Sequence, residues 1–286
     1  MGSFQVGIVG GSQSGKTLYL SCLPKFIEKD ERLNEDNITF QGADNKSIRW
    51  LSNHRNELDM GYVSAGGTTK EEELSFCLTD GNLNGLINVI DRKGSDYQGF
   101  AASDFPALIE YLSLCTGFVI LVDPLIPLYK QSQYFRPLFE NLFLSIINKK
   151  TTLNKRFSIC LTKIDDPIFW NWYLHNKDKS FLNAKSQEER VRNIFKKWAE
   201  KENGEDFTDL LENKFGYQTN KNFRYYLISS IGFFKVDENT YSTNLATLLD
   251  EEGNETHRLR NGMHYSPVNL YNPLFWAMGG NRRLWK

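Results

Sequence analysis

The sequence predicts an α/β fold with a largely parallel central sheet, on three observations. Short apolar runs, at residues 4–9, 73–79, 85–91, 117–123, 157–163 and 223–229, recur between helical patterns, and several are rich in β-branched or aromatic residues. All but one of the connections between them are long enough to cross over, as parallel neighbours require. The exception is Asp80-Gly81-Asn82-Leu83-Asn84-Gly85, a Gly- and Asn-rich turn too short for a helical crossover, so the second and third runs are expected to pair antiparallel.

Taken in order, Phe4-Gln5-Val6-Gly7-Ile8-Val9 reads as a buried strand that leads through a glycine-rich loop into an apolar helix start. The stretch 29–62 holds a helix-like segment around Ile48, Trp50 and Leu51 and reads as a lid or an effector surface. Residues 138, 139, 142, 143, 146 and 147 share one helical face, with Pro137 in the first turn of that helix. Ser186-Gln187-Glu188-Glu189 has the form of a capping box, and Val191, Ile194, Phe195 and Trp198 follow at helical spacing. Residues 166–222, aromatic at their start, therefore read as a helical insertion. Beyond Ser230 a polar region leads to Leu270, Leu274, Phe275 and Met278 on one helical face, with Gly279-Gly280 as the stop. This last segment reads as a closing helix packed on the sheet rather than one that binds a partner.

Composition bounds what such a chain does. With 286 residues, 40% hydrophobic and 24% charged, it can bury a sizeable core and is neither disordered nor collagen-like. A net charge of −1 gives no broad basic field for nucleic acid or an anionic membrane. Cys22, Cys77, Cys115 and Cys160 stand singly in apolar stretches, without zinc or disulfide spacing, so a reducing cytoplasm is the expected location. His54, His175, His257 and His264 share no ligand spacing. No apolar stretch reaches the length of a membrane span. Without internal repeats or Pro/Ser linkers, residues 1–286 are expected to form one domain, with an insertion at 166–222 and an extension at 231–286.

Four short elements carry the chemistry. Gly10-Gly11-Ser12-Gln13-Ser14-Gly15-Lys16-Thr17 fits G-x-x-x-x-G-K-[ST] between a strand and a helix. In that setting the backbone N–H groups of residues 12–16 converge on phosphate oxygens, Lys16 reaches the β- and γ-phosphates, and the Thr17 hydroxyl ligates Mg²⁺. Asp91 ends a strand and is followed by Gly94, so the acid can hold Mg²⁺ while the glycine N–H meets the γ-phosphate. Phe157-Ser158-Ile159-Cys160-Leu161 runs into Thr162-Lys163-Ile164-Asp165, and the Asp165 carboxylate can accept both the N1–H and the exocyclic amine of guanine. Ser229-Ser230 ends the last run.

In this order at strand ends, the four elements resemble a P-loop GTPase G domain of the translation-factor-related class over roughly residues 4–232. The resemblance implies a three-layer α/β P-loop NTPase fold, with one antiparallel strand, that binds GTP or GDP with Mg²⁺. It places Lys163 over the base and against the P-loop, and Ser229 and Ser230 in the loop whose backbone meets the guanine carbonyl. Gly66-Gly67-Thr68-Thr69-Lys70-Glu71 is similar to the switch string of tRNA-modification and Era-type GTPases, which makes Thr69 a metal and γ-phosphate ligand and Thr68 the reserve choice.

Ser95 stands where Ras-type GTPases carry the water-orienting Gln, so Asp96 and Gln98 become the candidates for that role. Asp96-Tyr97 and the Pro273-Leu274-Phe275-Trp276 ending are also similar to bacterial GTPases of the double-GTPase type, whose genes neighbour conflict systems. The resemblance implies a switch that hydrolyses GTP slowly until a protein activator, or a nucleotide-dependent dimer, completes the site. A docking subunit with little hydrolysis is the rival reading. An ATPase is argued against by Asp165.

Overall fold

The fold grows from a central strand that shows nothing polar to solvent. Gly117-Phe118-Val119-Ile120-Leu121-Val122 is buried at every position, as a strand covered on both faces must be. The computed structural model describes residues 3–11, 13–63, 72–80, 83–91, 105–148, 155–181, 186–201, 222–237, 240–249, 255–262 and 264–280. Its central sheet has seven strands, β1 (Ser3–Gly10), β2 (Thr39–Gly42), β3 (Glu72–Asp80), β4 (Leu83–Asp91), β5 (Gly117–Val122), β6 (Arg156–Leu161) and β7 (Phe223–Leu227), in the order β2-β3-β4-β1-β5-β6-β7. All neighbours are parallel except at β3, which runs against both β2 and β4. Asp80 pairs with Leu83, so β4 starts two residues before the expected run. Gly85 falls inside that strand because the Met278 side chain lies where its Cβ would be.

Helices cover both faces and make three layers. On one side α1 (Lys16–Lys29), α3 (Asn45–Asp59) and α8 (Tyr271–Ala277) bury Leu20, Leu23, Leu51, Leu58, Leu274 and Phe275 against Phe76, Ile87 and Val119. On the other, α4 (Phe105–Leu114), α5 (Leu128–Asn148), α6 (Pro167–Phe181) and α7 (Gln187–Lys201) bury Leu112, Phe135, Phe139, Phe169, Ile194 and Trp198 against Phe118, Ile120 and Ile159. A short α2 (Glu31–Glu35) follows α1, capped by Asp30, whose side chain accepts from the Arg32 and Leu33 N–H groups. Ser186 caps α7 by accepting from the Glu189 N–H at 3.1 Å, as the capping box implies. Among the described residues no helix is long and apolar enough to cross a membrane.

Pro137 lies inside α5 rather than in its first turn, since the helix begins at Leu128. Proline removes one intrahelical bond and costs about 3 kcal/mol in a helix interior. The buried stripe Leu128, Gln131, Phe135, Leu138, Phe139, Leu142 and Ile146 offsets that cost. The polar stretch after residue 230 holds two small antiparallel sheets, β8 (Phe233–Lys235) with β9 (Tyr241–Thr243), and β10 (Leu245–Leu249) with β11 (Glu255–Leu259).

The closing helix α8 ends as its glycines imply. Gly279, at φ 101°, and Gly280 donate their N–H groups to the Trp276 and Phe275 carbonyls, which is the paired closure of a Schellman motif. Tyr19 donates to the Leu270 carbonyl at 2.7 Å, Ser158 to the Pro273 carbonyl at 2.7 Å, and Tyr271 to the Asp80 carboxylate. The helix lies so close to β5 that a Cβ on Gly117 would stand 2.1 Å from the Ala277 carbonyl oxygen. Gly117→Ala is therefore expected to lose about 2–3 kcal/mol by overpacking, read as a lower urea midpoint at unchanged slope.

Candidate functional site

Strand order reverses at β1, whose neighbours β4 and β5 are reached by connections to opposite sides. The carboxyl end of such a strand opens a crevice where ligands bind in α/β sheets. The Gly10–Thr17 loop occupies it. Gln13 and Gly15 take left-handed backbone angles, φ 60° and 89°, and so turn successive N–H groups toward one side of the loop. Gly10 has no room for a side chain, since a Cβ there would lie 2.4 Å from Ser14 Oγ. α1 then starts at Lys16 with Gly15 as its N-cap and no side-chain cap, which leaves its positive end aimed into the crevice.

Lys16 is buried and curls back over the loop, donating to the Gly10 carbonyl at 3.0 Å and the Gly11 carbonyl at 3.1 Å. Ser14 Oγ is buried with no hydrogen-bond partner among the described residues. A buried hydroxyl left without a partner costs roughly 1–3 kcal/mol. Together with the lysine and the helix end, it fits a loop shaped to hold an anion. Thr17, the second residue of α1, lies half-buried beside them.

Ile8 pairs with Val89, so Asp91, two residues on, lies level with Gly10 on the neighbouring strand. The backbone thus brings Asp91 beside the phosphate loop. Its side chain lies outside the described residues, as do Ser12, Thr68, Thr69, Gly94, Ser95, Asp96 and Gln98.

The second half of the site lies at the end of β6, two strands and about 10 Å from β1. Thr162 binds the β5 end twice, through its N–H at 2.9 Å and its hydroxyl at 3.2 Å, both to the Val122 carbonyl. Lys163 follows in the left-handed region, φ 50°, which folds the chain back so that Asp165 points inward. Asp166 accepts from the Ile168 N–H at 2.8 Å and starts α6, with Pro167 in its first turn.

Asp165 is 4% exposed. Ser229, at the end of β7, donates to its Oδ1 at 2.5 Å, and Thr243, at the end of β9, donates to its Oδ2 at 2.6 Å. Burial pushes this carboxyl above the ordinary carboxylate range, and the two hydroxyl donors act in the opposite direction. Each oxygen keeps a second lone pair, so the carboxylate can still accept two donors from a flat ligand edge. Ser230 sits beside Ser229, half-buried, in the same turn.

Lys163 makes a contact the motif does not foretell. Among the described residues its ammonium bonds to Asp123 Oδ2 at 2.7 Å rather than to the phosphate loop. Asp123 directly follows β5, and its side chain is 1% exposed. Its Oδ1 accepts from the Leu125 N–H at 2.9 Å, and buried Gln131 of α5 brackets its backbone, accepting from the Asp123 N–H at 3.1 Å and donating to its carbonyl at 2.7 Å. The signal in the sequence was an acid closing the most apolar run. Thr243 had no such signal.

The site therefore comprises a glycine loop with a lysine after β1 and a buried, hydroxyl-braced carboxylate after β6, at one edge of a mostly parallel sheet. Fold and loop order together give a three-layer α/β architecture with a phosphate-binding loop after its first strand. No protein-family model matches the chain, and no curated protein matches it. Among solved structures it is similar to the S. cerevisiae Ski7 GTPase-like domain bound to GDP and inorganic phosphate, at 16% identity and a TM-score of 0.41, over 80% of this chain and 43% of that one. It is also similar to the bacterial selenocysteine-specific elongation factor EF-Sec, at 14% identity and a TM-score of 0.32, over 77% and 30%. The Arl6 BBS3 small GTPase of Trypanosoma brucei with bound GppNp aligns at 14% identity and a TM-score of 0.33, over 80% and 88%. The chain thus spans less than half the length of the first two.

Proposed function

We propose that this chain, as one G domain, binds GTP and hydrolyses it slowly, and that the change of nucleotide regulates a protein partner. The observation that carries the reading is Asp165, a carboxylate buried at the end of the strand two places from a lysine-bearing phosphate loop. Guanine offers that carboxylate two adjacent N–H donors, whereas adenine would leave it buried and unmatched. The loop N–H groups, the Lys16 ammonium and the start of α1 would hold the phosphates and offset their negative charge. Lys163, anchored on Asp123, would lie with its stem along the base plane.

Thr17 would hold Mg²⁺, with Asp91 and Thr69 as the sequence candidates to complete its shell. The ion would neutralise charge between the β- and γ-phosphates. Orientation of water falls to Asp96 or Gln98, and the γ-phosphate would be sensed by Thr69 and Gly94. A protein activator or a second copy would complete the catalytic arrangement, and a cytoplasmic setting suits such a switch.

Single-turnover hydrolysis of GTP by dilute protein with Mg²⁺ tests this. The expected rate constant is on the order of 10⁻³ s⁻¹ or below, rising when cell extract or concentrated protein is added. A fast rate in dilute protein alone would refute the need for a partner. No turnover under any of these conditions would favour a docking subunit that binds GTP without consuming it.

A further inference from the structure

The carboxylate proposed to read the base is held from two sides. One side is the loop after β7, which belongs to the sheet. The other is the β8–β9 hairpin, whose Thr243 lies 78 residues along the chain from Asp165. The two hydroxyls are built alike. Ser229 Oγ accepts from the Gly232 N–H at 2.8 Å and donates to Asp165 Oδ1. Thr243 Oγ1 accepts from the Leu245 N–H at 3.2 Å and donates to Asp165 Oδ2. A backbone N–H behind each oxygen fixes the direction of its proton, so both O–H groups aim at the carboxylate.

The hairpin cannot drift from this position cheaply. Buried Asn244, next to Thr243, donates to the His264 carbonyl at 2.8 Å, and its own N–H reaches the Gly232 carbonyl at 3.3 Å. Gly232, at φ 77°, lies where a Cβ would be 2.0 Å from the Ser266 carbonyl oxygen, and the Ser266 N–H donates to the Ile231 carbonyl at 3.2 Å, so the turn below Ser229 packs directly on the 264–268 segment. On its outer side Phe233 of β8 packs on Trp170 of α6 at 4.7 Å, and α6 starts two residues after Asp165. The helix that follows the carboxylate therefore also supports the hairpin that brings its second donor.

We infer that Thr243 is a positioning residue for guanine recognition: its hydroxyl fixes the plane of the Asp165 carboxylate, so the β8–β9 hairpin forms part of the base site. This rests on the guanine-nucleotide reading above. A carboxylate held at one oxygen only can rotate about its Cβ–Cγ bond, and rotation would misalign the two acceptors that a guanine edge needs at once. With both oxygens held, one lone pair on each stays directed at the ligand. The coupling runs both ways, so guanine nucleotide should steady the hairpin as much as the hairpin steadies the carboxylate.

The full chain is compared with Thr243→Val and Thr243→Ser by competition of GDP and ADP against a fluorescent GDP analogue. Thr243→Val keeps the shape and removes the donor. It is expected to weaken GDP about tenfold, to leave ADP nearly unchanged and so to narrow the GDP-to-ADP ratio about tenfold. Thr243→Ser is expected to restore both. A merely structural hydroxyl would lower stability without moving that ratio.

Amide hydrogen exchange on the unmodified chain supplies a second reading that needs no variant, with GDP expected to slow exchange at 241–245. Guanine binding by the unmodified chain with an unchanged ratio in Thr243→Val, or with no GDP protection at 241–245, would overturn this inference alone. Failure of the unmodified chain to bind guanine nucleotide would overturn the parent reading and this one with it.

Discussion

Asp165→Asn is expected to weaken GDP binding by roughly a thousandfold, about 4 kcal/mol, and to raise affinity for xanthosine diphosphate. The carboxylate only accepts, which suits the N1–H and the amine of guanine. An amide presents one acceptor and one donor, which suits the N1–H and the O2 of xanthine. The loss with GDP is large because the site is buried, so a mismatched donor meets no water to compensate it. Competition binding with the two diphosphates measures the reversal. Retention of full GDP affinity by this variant would remove Asp165 from base recognition.

Lys16→Met is expected to lower affinity for GTP and GDP by about a hundredfold to a thousandfold while the chain stays folded. The substitution keeps the apolar stem and removes only the ammonium that bonds to the Gly10 and Gly11 carbonyls. Charge-assisted bonds from one buried ammonium to phosphate account for a loss of that size. Because the ammonium is itself buried, removing it relieves a desolvation cost, and stability without nucleotide is expected to change by less than about 2 kcal/mol. Equilibrium binding and urea unfolding on the same preparation separate the two effects. The profile differs from that of Asp165→Asn, which alters which base is preferred rather than how tightly phosphate is held.

Much of the fold was legible because the sheet is parallel and buried. A strand such as β5, apolar at every position, announces itself without any knowledge of its neighbours. β2 did not, since it has four residues and buries only Phe40 and Gly42, too short an alternation to distinguish from a loop. The start of α5 was hidden by Pro137, whose local preference is overruled by burial of Leu128 and Phe135. The four strands after residue 230 are short and largely exposed or half-exposed, so they carry little hydrophobic signal.

The site divides in the same way. The phosphate loop and Thr162-Lys163-Ile164-Asp165 are local strings whose geometry follows from a strand before and a turn after, so their residue types alone indicate the chemistry. The partners of those residues are tertiary. Asp123 meets Lys163 only because Val122 pairs with Leu161, and Thr243 meets Asp165 only because Asn244 ties β9 to the turn at Gly232. No spacing in the sequence records either contact.

Calorimetric titration of the full chain with GDP and with ADP in Mg²⁺ buffer tests the central claim, that this is a site for guanine nucleotides, most directly. GDP is expected to bind one site per chain at micromolar affinity or tighter, with ADP at least a hundredfold weaker. Equal affinity for the two, or no binding of GDP, would contradict it.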